Sequence, residues 1–241
     1  MNKDIKIITT IETEIERAVE LCQKEYSRED IWQILAINSA ENPDINIEKQ
    51  ICILNLDAIL SQYEADLLAF HQTNHHGLIR EATAQKINEF MKTPEFAQYF
   101  QSKEILDILL NAVNDINPNI CRLIIEILPE IDNKQYFLDN LYKRFDFVFD
   151  ELEKLKRSNW YTKKLFNLYW CIESLAVLKA PIDKRLESVL KQSSVFRDYT
   201  IREKTAMVIH YLPDTSSCIS EIKSLLKRDE NYYVKRYSLQ W

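Results

Sequence analysis

The stretch Asp198-Tyr199-Thr200-Ile201-Arg202-Glu203-Lys204-Thr205-Ala206-Met207-Val208-Ile209-His210-Tyr211-Leu212-Pro213 decides the fold. It reads as one helix with a cap, an apolar face and a stop. Asp198 offers a carboxylate to the free N–H groups of the first turn. Ile201, Thr205, Ile209 and Leu212 recur at helical spacing, so they share one face. Pro213 cannot continue the ladder and ends it.

The same design recurs along the chain. Caps of the same kind fall at Asp44, His76, Asn117, Ser158, Asp198 and Asn231, spaced by 32, 41, 41, 40 and 33 residues. His76 is the weak member of the set. Three residues after each cap stands Ile47, Ile79, Ile120, Tyr161, Ile201 or Val234. The stripe continues through positions such as Thr83, Ile87 and Phe90, or Leu165, Tyr169 and Ile172. Between these segments lie other helical patterns. They open at Ser27, at the capping-box pattern Ser61-Gln62-Tyr63-Glu64, and at Thr93-Pro94, Asp132, Asp183 and Ser216. Residues 61–75 read as one helix, and 93–113 as helical with a break at Ser102. About twelve to thirteen helices result, arranged as a capping helix over residues 1–26 and six helical hairpins over 27–241.

Composition points the same way. Gly occurs once, at Gly77, and hairpin-rich sheets need many turn glycines, so the chain is expected to be all-α. With one glycine no Gly-rich phosphate loop or nucleophile elbow can be written. No apolar run long enough to span a bilayer is present, and residues 1–16 lack the apolar segment of a signal peptide. The five cysteines (Cys22, Cys52, Cys121, Cys171 and Cys218) stand far apart without a CxxC pair. They read as buried thiols in a reducing compartment, the cytoplasm.

A repeat of two helices at this period is the signature of an α-solenoid. Asp198-x-x-Ile201-Arg202 resembles the D-x-x-V-R core of HEAT repeats, and Asn231-x-x-Val234-Lys235 and His76-x-x-Ile79-Arg80 are similar. Asn117-x-x-Ile120-Cys121-Arg122 places its Arg one residue late. The resemblance covers about residues 27–241 and implies a right-handed α-α superhelix of divergent, armadillo-like repeats whose second helices line a groove. The repeat architecture, in a chain without a catalytic motif, leads to the expectation of a non-enzymatic scaffold or adaptor that binds a partner protein, with no cofactor and no metal.

The bases at the starts of the second helices are the candidate partner-binding residues. Lys49, Arg80, Arg122, Lys163, Arg202 and Lys235 with Arg236 stand where the helix dipole disfavours a cation. They suit either a ladder between repeats or a basic stripe along the groove. Trp160 and Trp170 join Arg80, Arg122, Lys163, Arg202 and Lys235 as candidates. Both tryptophans lie in the aromatic stretch 136–170, at positions off the core stripe.

Charge favours a protein partner with an acidic or mixed surface. Residues 1–70 carry a net −8, residues 71–133 a net −4 and residues 134–241 a net +6. The overall −6 opposes phosphate binding. The basic C-terminal part keeps a nucleic-acid reading in play, as does the pair Trp170 and Glu173, similar in residue type to the groove of HEAT-like alkylpurine DNA glycosylases. Self-association of acidic and basic halves is a third reading. His71, His75 and His76 read as surface residues at a helix end; a metal site on His71 and His75, four apart, is the alternative.

Overall fold

A computed structural model describes residues 58–155, 160–213 and 216–238. All eleven regular helices among them are α, joined by two short 3-10 turns, and no strand occurs among these residues. The capping helix over 1–26, the first predicted hairpin and Lys49 lie outside the described residues. No described helix is long and apolar enough to cross a membrane.

The chain forms two compact units, Met1–Ala112 and Val113–Trp241. In the described part of the first, α1 (Gln62–His71) packs on α2 (Gly77–Met91) and α4 (Lys103–Ala112). Between α2 and α4 come a single turn, α3 (Pro94–Ala97), and a 3-10 turn at Gln98–Phe100. Ile79, Thr83, Ile87 and Phe90 of α2 are all buried, as their spacing predicts.

The second unit holds α5 (Pro118–Ile127), α6 (Lys134–Lys154), α7 (Tyr161–Val177), α8 (Lys184–Ser194), α9 (Tyr199–His210), α10 (Ser217–Lys227) and α11 (Tyr232–Ser238). Short connections put chain neighbours side by side: α6 on α7, α8 on α9, α10 on α11. Alternate helices also pack. One row runs α5, α7, α9 and α11; α8 touches α10 in the other. The row of four is the set of helices that open at Asn117, Trp160, Asp198 and Asn231. Ile120, Ile124, Ile172, Ile201, Ile209 and Val234 are buried with no more than 1% exposure. By contrast, Tyr161 and Tyr169 are half-buried and were misplaced on the core stripe.

Most starts are where the sequence puts them. Asp198 accepts from the N–H of Thr200 at 3.0 Å, Asn117 from Asn119 at 3.0 Å, and Asp183 from both Arg185 and Leu186 at 2.9 Å. His76 also caps, through Nδ1, which accepts from Leu78 N–H at 3.3 Å.

Three boundaries and one cap bond differ from the sequence reading. Asn133, not Asp132, caps α6, accepting from Tyr136 N–H at 3.1 Å. In the box at Ser61, the Glu64 carboxylate accepts from Leu60 N–H at 2.7 Å, one residue earlier than the motif requires. α7 is capped by Trp160 without a side-chain bond, and Ser158 and Asn159 lie outside the described residues. Finally, α1 stops at His71 and not near His75. The Asn74 side chain accepts from His76 N–H at 2.8 Å, a local turn that competes with helix.

α7 ends without a glycine. Lys179 takes the left-handed conformation at φ 52°. Ala180 N–H donates to Leu175 O and Lys179 N–H to Ala176 O, both at 3.0 Å. That is the Schellman pattern, built on a residue type that bears some strain there.

Candidate functional site

The bases at the helix starts fall into two groups. Arg80 and Arg202 share one geometry. The Arg202 guanidinium donates to the carbonyls of Phe196 at 2.8 Å and Arg197 at 3.0 Å, six and five positions back. Arg80 donates to Asn74 O at 2.8 Å and His75 O at 3.0 Å, in the same register. Each side chain thus folds back over the loop before its own helix and binds carbonyls there. A second interaction ties Arg202 forward: it bridges both oxygens of Asp229, at 2.6 and 3.1 Å, in the loop before α11. The guanidinium hydrogen bonds hold the Asp229 carboxyl below the usual carboxylate range.

Cys121 explains why the Arg of its segment comes one residue late. It occupies the position of Arg80 and Arg202, and its thiol donates to Asp115 O at 3.3 Å, again six back. The loops carry a further recurrence that cap spacing alone does not reveal. Asn74, Asp115 and Asp229 each stand two residues before a cap and accept that cap's N–H, at 2.8, 2.9 and 2.8 Å. The Asx residue two before the cap is a signal legible in the sequence.

The second group of bases faces a groove of 710 Å³ in the second unit, walled by α5, α7, α9 and α11. It gathers three candidates named from sequence: Arg122 of α5, and Lys163 and Trp170 of α7. Arg80, Trp160, Arg202 and Lys235 do not line it. Lys235 is half-buried near Asp229, whose carboxyl its charge helps to hold down. Trp160 is 59% exposed, with Lys163 Nζ stacked 4.3 Å from its ring centroid.

Arg236, grouped with Lys235 among the bases at helix starts, also lines the groove, as does Tyr237 of α11, which the sequence did not single out. Arg236 pairs with Glu203 at 2.9 Å and donates to the Tyr237 hydroxyl at 2.8 Å. It also lies over Tyr233, which stacks on Tyr199 at 6.1 Å. Aromatic rings therefore continue from the groove wall to exposed side chains at the starts of α9 and α11.

The floor is aromatic and braced from beneath. Trp170 meets Tyr169 edge-on at 5.0 Å, and Phe166 meets Tyr169 at 6.3 Å. Under Tyr169 lies Lys204 of α9, 3% exposed, its Nζ 4.2 Å from the ring centroid and hydrogen-bonded to Glu173. Burial alone would lower the lysine's pKa, but the hydrogen bonds to Glu173 and Tyr169 outweigh it and hold Lys204 above its ordinary value. The sequence reading did not find Lys204; a lysine directly before the stripe residue Thr205 was the available signal.

The remaining titratable groups are structural in setting. Cys121 and Cys171 are buried, and burial pushes both thiols up to about 12. The Cys171 thiol donates to the Asn114 side-chain oxygen at 3.3 Å. His71 is not a surface residue: it is 2% exposed, and burial lowers its pKa to about 4. Among the described residues, no group of three or more His, Cys, Asp or Glu side chains is placed to hold a metal ion.

A scan against protein-family models matches no family, and a search of curated proteins finds no similar sequence. The functional reading therefore rests on the groove itself.

Proposed function

We propose that this chain is a non-enzymatic, HEAT-like helical-repeat protein that binds a partner protein through the groove walled by α5, α7, α9 and α11. The observation that carries the reading is the groove's composition: Trp170, Tyr169, Arg122 and Arg236 on one concave surface. Trp, Tyr and Arg are the residues in which binding energy concentrates at protein interfaces. The HEAT-like reading is supported by the alternate packing of helices and by the shared register of Arg80 and Arg202. Cys121 and Cys171, buried and reduced, and the half-buried free thiol of Cys218 fit a cytoplasmic protein.

The alternative is a nucleic-acid-binding relative of the HEAT-like glycosylases. Its motivation was Trp170 with Glu173. Glu173 is committed to Lys204, which leaves it a poor general base.

Affinity enrichment from the source lysate tests the proposal. The purified chain should retain a stoichiometric partner that the Trp170→Ala, Arg122→Glu double variant loses, and the purified pair should rebind by calorimetry. Recovery of no partner, together with a measured turnover, would sink the reading. Salt-dependent binding of an oligonucleotide at low ionic strength would move it to the alternative. A sedimentation mass that rises with concentration and falls with salt would point to head-to-tail self-association.

A further inference from the structure

The charges of the groove are not equivalent. Arg236 is neutralised by Glu203 at 2.9 Å. Arg122 and Lys163 have no ion-pair partner among the described residues: Arg122 touches Asn119 at 3.4 Å, and Lys163 stacks on Trp160. Two cations thus face the groove unneutralised, one on α5 and one on α7. Apolar and aromatic surface from Trp170 and Met207 shares the same space.

Each part of that arrangement selects something. A guanidinium binds a carboxylate through two parallel hydrogen bonds, and an ammonium beside it accepts a second carboxylate as a point charge. The indole and thioether surface takes an apolar side chain. A volume of 710 Å³ holds a few residues of chain and not a folded domain.

Resting on the reading that the groove binds protein, we infer that its occupant is a short acidic segment carrying one aliphatic or aromatic anchor. Its carboxylates sit on Arg122 and Lys163, and the anchor lies against Trp170 and Met207. Net charge agrees, since the unit that holds the groove, residues 113–241, carries a net +3. A nucleic-acid strand fits less well. Two neutralising bases give a salt slope of only about −1.4, from roughly −0.7 per phosphate on a single strand.

Fluorescence anisotropy on the full chain tests this with a labelled peptide of glutamates and aspartates around a central leucine. The comparators are the same peptide with glutamines for its acids, the same peptide with serine for leucine, and a single-stranded oligonucleotide of equal charge. The acidic peptide should bind, weaken with salt, and weaken by about fivefold or more with either Arg122→Gln or Lys163→Gln. Lys191→Gln, on the exposed side of α8, should change nothing. Circular dichroism of each variant checks the fold.

Equal binding of the glutamine peptide, indifference to both substitutions, or tighter binding of the oligonucleotide each overturns the inference. The wider reading fails separately. If the acidic peptide does not bind but a captured partner is still lost on Trp170→Ala, the occupant's chemistry is wrong and the groove stands. If Trp170→Ala releases nothing, both fall.

Discussion

Arg202 sits in the first turn of α9, where the helix dipole repels a cation at a cost of about 0.3–1 kcal/mol. The structure shows what offsets that cost. The guanidinium satisfies two loop carbonyls and both oxygens of Asp229, with only 19% of the side chain exposed. Hydrogen bonds to charged groups contribute roughly 1.5–3 kcal/mol each in mutational series, and they are not additive. Arg202→Ala should therefore lower stability by about 2–3 kcal/mol in urea denaturation. Arg202→Lys should recover only part of it, because an ammonium cannot bridge the carboxylate and the carbonyls together. Neither variant should alter binding in the groove, which Arg202 does not line. Asp229 gives the pH dependence: its folded pKa is depressed. The pair's contribution is full above the unfolded aspartate value of about 3.9 and is lost as pH falls through the lower folded value. His71 acts in a different window. Its pKa is lowered from 6.5 to about 4, so between those values the unfolded state binds the proton and the folded state does not. Stability should be full above pH 6.5 and fall as pH drops toward 4, by about 3 kcal/mol at most. Urea midpoints measured across that range should flatten in His71→Gln; an unchanged slope would remove His71 as the source.

At the scale of helices, the clearest readings were starts, and the poorest were stops and partners. A cap is a local contract between one side chain and the next turn, so Asp183, Asp198 and Asn117 could be placed from neighbours in sequence. The end of α1 could not, because helix and Asx turn compete over residues 72–76 and Asn74 settles the outcome. Nor could the fate of Lys204. Its partner Glu173 is 31 positions away on α7, and no local pattern links them. That pair joins two elements of the groove wall, so it can be tested between elements. Glu173→Gln leaves a buried ammonium without its countercharge. Breaking buried pairs costs about 3–5 kcal/mol, and Glu173's 30% exposure puts the expected loss nearer 2–3 kcal/mol. Adding Lys204→Met to it should restore much of the loss, since the buried ammonium left without a countercharge is then gone. Urea midpoints of the two single variants and the double variant give the coupling. A double variant as weak as the sum of the singles would mean the two residues act independently.

For the chain as a whole, one glycine and a recurring stripe made the all-helical fold legible. The groove was legible in part. Arg122, Lys163 and Trp170 were nominated because they break the helix pattern, and they converge there. Arg80 and Arg202 broke the pattern in the same way, yet serve the loops. Sequence cannot separate the two uses, because the separation depends on which way a long side chain folds and what it meets. Val113–Trp241 has its own core: Phe137, Phe145, Ile172, Leu190 and Ile209 are each no more than 1% exposed. A compact unit with its own core can fold without its neighbour, so residues 113–241 should fold alone. The fragment should be helical by circular dichroism and unfold in one urea transition. It should also keep the salt-dependent peptide binding. Cutting the fragment further at residue 215 removes Asp229, Arg236 and Tyr237 together. That shorter piece should stay helical, lower its urea midpoint, and lose the α11 wall of the groove. A broad transition in the 113–241 fragment, with dye-binding apolar surface, would mean that its core needs the preceding residues to pack.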